Sequence, residues 1–132
     1  MSRNRYLKPV SIAAGVLLGI IGARFLLVPD AAARTFGLAR SGIVHELHHM
    51  VGLRDLWLSA ILIVLVALGE WRAAAVWLLL AAPVCFADAM IAAASSGKAW
   101  AVAFHAGSGL VCLALGVAAW RRGSRQTSHR QP

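Results

Sequence analysis

Four long apolar runs separated by short polar breaks decide what this chain can become. They cover Val10–Val28, Val51–Gly69, Ala73–Ala94 and Ala99–Trp120. Each approaches the roughly 20 residues that take an α-helix across about 30 Å of hydrocarbon. Of 132 residues, 60% are hydrophobic and 14% are charged, too little polar material to cover the core of a water-soluble domain of that size. The fold class expected is all-α: an integral membrane four-helix transmembrane bundle with a short interfacial helix between the first two spans. The bundle takes residues 10–120, after a basic N-terminus at 1–9 and before a basic, disordered tail at 121–132.

The first run, opened by Pro9, resembles a signal peptide in its basic start, apolar middle and Ala31-Ala32-Ala33 end. Its length and the charge at Arg24 argue for an uncleaved helix. Gly15, Gly19 and Gly22 share one face, the small-residue pattern that lets two membrane helices approach closely, and this face is offered to a homodimer. Arg24 falls on roughly the opposite side. After Pro29, residues 30–36 read as the interfacial helix, with Asp30 in its first turn and Gly37 as its stop. Leu56–Gly69 alone is short for a span, so the helix reaches back to Val51 and draws Arg54 and Asp55 towards the membrane. The third span carries Pro83 as a kink and Asp88 in its later half, and the fourth is bracketed by Trp100 and Trp120.

Charge placement orients the bundle. Arg3, Arg5, Lys8, Arg72, Arg121, Arg122, Arg125 and Arg130 fall on one side of the threading, and Arg34, Arg40, Arg54 and Lys98 on the other. The more basic side is cytoplasmic, which puts both termini inside and the protein in a bacterial-type cytoplasmic membrane. The net charge of +8 is a topological signal and an attraction to anionic lipid. Basic residues without interleaved aromatics do not make a nucleic-acid face. Cys85 and Cys112 lie in mid-run with no close-spaced pair, and read as small buried apolar residues.

Alternation of four helices brings Arg24, Arg54, Asp55, Asp88 and His105 to one end of the bundle. Charge is expensive in lipid, so ionisable groups there act either as polar contacts that fix helix register or as a site. As a site, Asp88 and His105 are the acid and base, while Arg24, Arg54 and Asp55 hold the ligand's polar group. The loop adds His45-Glu46-Leu47-His48-His49, which matches H-E-x-x-H: a helix would put His45 and His49 on one face for zinc, with Glu46 to activate water. It also spells the H-x-x-H-H histidine box of membrane di-iron oxygenases. Such sites draw on several boxes, and this chain has 5 histidines, so no cofactor is favoured.

Arg24 with Leu27-Val28-Pro29, then Phe36-Gly37-Leu38, Gly52-x-Arg54-Asp55, a mid-helix Asp88 and a fourth-helix His105 resemble one family of small membrane proteins. It is the domain of unknown function numbered forty-two sixty-seven, and the chain is also loosely similar to DoxX-like four-helix proteins. The resemblance runs over about residues 10–120 and implies a four-helix membrane fold with no established activity. His45–His49 is not part of that pattern.

Three functions are compatible with these residues. The first is a membrane protein that binds a small amphiphilic or lipid-soluble molecule at an outer-leaflet polar cluster. The second is an enzyme doing acid–base chemistry, of isomerase or cyclase type, on a lipid-dissolved substrate. The third is a metal-dependent enzyme using His45, Glu46 and His49.

Overall fold

The computed structural model describes residues 5–38 and 45–128. Its helices are α1 (Leu7–Leu27), α2 (Pro29–Phe36), α3 (His45–Leu68), α4 (Trp71–Ser95) and α5 (Ala99–Ser128). No strand occurs among the described residues. All but α2 are long and apolar enough to cross a membrane. The chain is a multi-pass membrane protein. Large apolar side chains such as Trp57, Leu80, Met90 and Leu110 stand exposed on the outside of the bundle, where lipid rather than water is their solvent.

The breaks follow from local chemistry. Pro29 disfavours a helical conformation at the residue before it, and Val28 leaves the helix at φ −141°, ψ 63°. Pro29 then sits in the first turn of α2, where its missing N–H costs nothing. Gly37 ends α2 at φ 98°, and the Leu38 N–H returns to the Ala33 carbonyl at 3.0 Å. A side chain at Gly37 would also strike Ala101 and Ala92, at 2.8 and 3.0 Å from its Cβ, so α2 is seated against the end of α4 and the start of α5. Gly69, at φ 79°, makes the turn into α4, which runs on through Pro83 as one helix.

The long helices form two tight antiparallel pairs. In the first, a Cβ on Gly15 would meet Ile63 at 2.7 Å, and one on Gly22 would meet the Gly52 carbonyl oxygen and the Leu56 nitrogen, both at 2.8 Å. The Ser59 hydroxyl donates to the Gly15 carbonyl at 2.7 Å, one hydrogen bond between the two helices. The Gly15–Gly19–Gly22 face packs against α3 of the same chain. In the other pair, Gly109, Gly116 and Gly123 of α5 receive Phe86, Leu79 and Arg72 of α4. Gly109, Gly116 and Gly123 step by seven residues, and Gly15, Gly19 and Gly22 by four and three, which are both spacings of a coiled-coil seam.

Two features depart from the sequence reading. Helix α3 begins at His45 rather than Val51, because nothing between them breaks a helix and the motif is continuous with the span. Helix α5 continues through Arg121, Arg122 and Arg125 to Ser128, where a disordered tail was expected from 121. Its extension is held on α4: the Arg122 guanidinium lies 4.2 Å from the Trp71 ring, and Arg72 lies 5.3 Å from that of Trp120.

The pairs join at their two ends. At one end Leu7, Leu62, Val66, Trp71, Ala74, Ala75, Leu78 and Ala119 form a buried core, which also places the start of α1 beside the later part of α5. At the other end, Phe25, Ala32 and Ala33 pack with Phe36, and α2 bridges the gap. A cavity lies between.

Candidate functional site

The cavity measures about 750 Å³ and is walled by α1, α3, α4 and α5, with Phe36 of α2 at one end. Most of its lining is aliphatic. Arg54, Asp55, Asp88 and His105 are its charged and imidazole side chains. Their helices alternate in direction, so residues early in α3 and α5 and late in α4 meet at the same level. Leu17, Leu80, Val84, Phe104 and Val111 line the cavity and are exposed, so its apolar walls are not sealed by packed side chains.

Asp55 is buried and Arg54 is half-exposed; Arg54 Nε and Nη2 both approach one carboxylate oxygen of Asp55 at 3.1 Å. Burial of the carboxylate is compensated by its neighbour, while the rest of the guanidinium stays available. Asp88, one helix across, is within electrostatic reach of His105, Arg54 and Asp55.

His105 is buried, and its Nε2 is 3.0 Å from the carbonyl oxygen of Phe36. A carbonyl only accepts, so Nε2 carries the hydrogen and Nδ1 of a neutral ring is left with its lone pair. The bond satisfies a carbonyl of the last turn of α2, one of the groups that a helix end leaves without a partner. The Phe36 ring lies 4.2 Å from the imidazole centroid, and Phe25 meets Phe36 edge-on at 5.6 Å. Phe25, Phe36 and His105 thereby tie α1, α2 and α5 together at this end of the cavity.

The remaining candidates lie elsewhere. Arg24 is at the exposed end of α1, where Nη2 donates to the Thr35 hydroxyl of α2 at 3.1 Å; it does not line the cavity. Of the histidine motif, Glu46 and His49 are exposed and His48 is buried 5.9 Å from the Phe25 ring centroid. His45 opens α3, and its side chain lies outside the described residues. Among the described residues, no three His, Cys, Asp or Glu side chains converge as a metal would require.

The sequence pattern of a domain of unknown function, DUF4267, matches residues 15–119. The chain belongs to this family. In this DUF4267 protein the match takes in the whole cavity lining except Ala14. No curated protein and no solved structure matches the chain.

Two parts of this DUF4267 site were not legible in the sequence. Trp77 faces the cavity from the end away from Arg54, and nothing in an apolar run marks one tryptophan as inward-facing. Cys85 and Cys112 both line the cavity, and their placement opposite each other across the α4/α5 seam depends on the register that Gly109 sets against Phe86, which their separation along the chain does not reveal.

Proposed function

We propose that this protein binds a small, lipid-dissolved amphiphile in the cavity between its two helix pairs. The observation that carries the reading is the cavity's polarity gradient. Arg54, Asp88 and His105 line one end and Leu62 and Leu78 the other. Along α3 the step from Arg54 to Leu62 is about 12 Å at the 1.5 Å helical rise, room for a polar head and a length of chain. Charge selects the head. Arg54 is already paired with Asp55, and Asp88 adds a second carboxyl group nearby. A hydroxyl or carbonyl head suits this balance, whereas a carboxylate would meet Asp88.

The orientation belongs to the same proposal: the basic ends of α1 and α5 face the cytoplasm, and the head group is held in the outer half of a bacterial-type cytoplasmic membrane. A long-chain alcohol carrying a photoactivatable group at the end of its chain tests the binding. The expected result is label on Leu62, Leu78 or Ala81, lost when Ala81→Phe fills the cavity. Label confined to outward residues such as Met90 and Leu110 would refute the reading.

A second reading, acid–base catalysis on such a ligand, has one observation in its favour. The Phe36 carbonyl fixes the ring of His105 through Nε2, so Nδ1 is the atom left to accept a proton, with Asp88 in electrostatic reach. In deuterated water a ketone ligand should take up deuterium beside its carbonyl with the wild-type protein and not with Asp88→Asn or His105→Gln. Binding without uptake leaves the first function alone.

A further inference from the structure

A second recess, at the basic end of the α4/α5 seam, shares none of the cavity's lining residues. It measures about 280 Å³ and is walled by Leu79 of α4 with Val117, Trp120 and Arg121 of α5. Leu79 is seated where Gly116 has no side chain, so the seam itself fixes the aliphatic floor. Val117 and Arg121 are four residues apart, about 6 Å at the helical rise, so the recess runs from a guanidinium into apolar depth. Val117, Trp120 and Arg121 are exposed, and Arg121 makes no hydrogen bond or ion pair with the described residues. From α4, the Arg72 guanidinium lies 5.3 Å from the Trp120 ring and brings a second cation to the same rim. Among the described residues, this end of the bundle also carries Arg5, Lys8, Arg122 and Arg125, against Glu70 as its one acid. Tryptophan and arginine at a helix end are the side chains that sit at headgroup level.

We propose that this recess is a binding site for an anionic phospholipid. The phosphate lies between Arg121 and Arg72, and the first segment of one acyl chain runs along Val117 and Leu79. Arginine matches phosphate by charge and by its fork of donors. A soluble anion would meet the two arginines but leave the aliphatic floor uncovered, and an uncharged lipid would cover the floor without answering the charge. The net charge of the chain draws acidic lipid to the whole basic end; the recess adds one place where head and chain are held together. The site stands apart from the ligand proposed for the cavity.

The test uses full-length protein stripped of lipid in a neutral detergent and titrated with phosphatidylglycerol or with phosphatidylcholine of the same chains. Native mass spectrometry counts the bound lipid. The first phosphatidylglycerol should bind about ten-fold more tightly than phosphatidylcholine. Arg121→Gln should weaken it about five-fold, the effect of one basic residue at a charged surface. Val117→Trp, which fills the recess and keeps every charge, should weaken it at least as much. Arg125→Gln removes an equal charge outside the recess and should change nothing. Equal weakening by Arg121→Gln and Arg125→Gln, with none by Val117→Trp, would mean attraction to the basic end as a whole and overturn the site. Equal binding of the two lipids also overturns it. Displacement of the lipid by an equal concentration of glycerol phosphate would show a soluble-anion site and overturn the phospholipid. Should Arg121→Gln fail to fold, the comparison of Val117→Trp with Arg125→Gln decides.

Discussion

Gly22→Ala and Gly107→Ala are the same chemical change in two membrane helices, and the structure gives them opposite signs. At Gly22 the new Cβ would stand 2.8 Å from the Gly52 carbonyl oxygen and 2.8 Å from the Leu56 nitrogen, with the Asp55 Cβ at 3.1 Å. Two of the three are backbone atoms of α3, so relief requires the helices to part by several tenths of an ångström. That shift would stretch the 2.7 Å bond from Ser59 to the Gly15 carbonyl. Overpacking of this kind costs about 1–3 kcal/mol. Alanine's better helix propensity returns about 0.8–1.0 kcal/mol, leaving a net loss of about 1 kcal/mol. Gly107 lines the cavity and has nothing within 4 Å of its would-be Cβ, so Gly107→Ala keeps only the propensity gain. Reversible unfolding in mixed micelles with increasing sodium dodecyl sulfate should separate the two variants by about 2 kcal/mol, with wild type between them. Equal stability of the two would refute the close antiparallel packing of α1 on α3.

His105→Phe removes the donor to the Phe36 carbonyl while keeping a ring against Phe36; amide exchange in α2 should quicken about ten-fold, matching loss of a bond of ~1.4 kcal/mol, with α4 unaffected. No change in α2 would mean that the bond does not hold it. Arg54→Ala should destabilise more than Asp55→Ala, by about 1–3 kcal/mol, because it leaves a buried carboxylate alone while the reverse leaves a half-exposed cation that can turn to water; the same micelle titration measures both. A membrane-permeant oxidant should join Cys85 to Cys112 within one chain, seen as a crosslinked peptide by mass spectrometry; chain-to-chain linkage alone would contradict the α4/α5 register.

The sequence displayed this architecture unevenly, and the reasons are physical. Four spans and the short α2 were legible because lipid demands long apolar helices and because Pro29 and Gly37 punctuate the chain. Alternation of direction then dictates that Arg54, Asp88 and His105 share a level. Rotation about each helix axis was much less legible. Arg24 shares the same end of the bundle, yet bonds to Thr35 on the outside, because nothing in a level specifies a direction. The Gly15–Gly19–Gly22 face announces a close helix neighbour, but not whether that neighbour is α3 or a second copy. In α5, Gly109, Gly116 and Gly123 carry the seven-residue spacing openly; its meaning depends on Phe86, Leu79 and Arg72 standing opposite, which only the paired helices reveal. Pairing across the seam likewise hid the two thiols. The basic tail reads as solvent-borne chain because the ring that Arg122 stacks on, Trp71, lies in another helix.

A structure determined from the protein in lipid, with whatever copurifies retained, tests the central claim most directly. The account predicts Arg54, Asp88, His105 and Trp77 around one cavity between two helix pairs, with elongated density whose polar end lies beside Arg54. Asp88 and His105 turned to separate lipid-facing sides of the bundle, with packed side chains filling the space between the pairs, would contradict it.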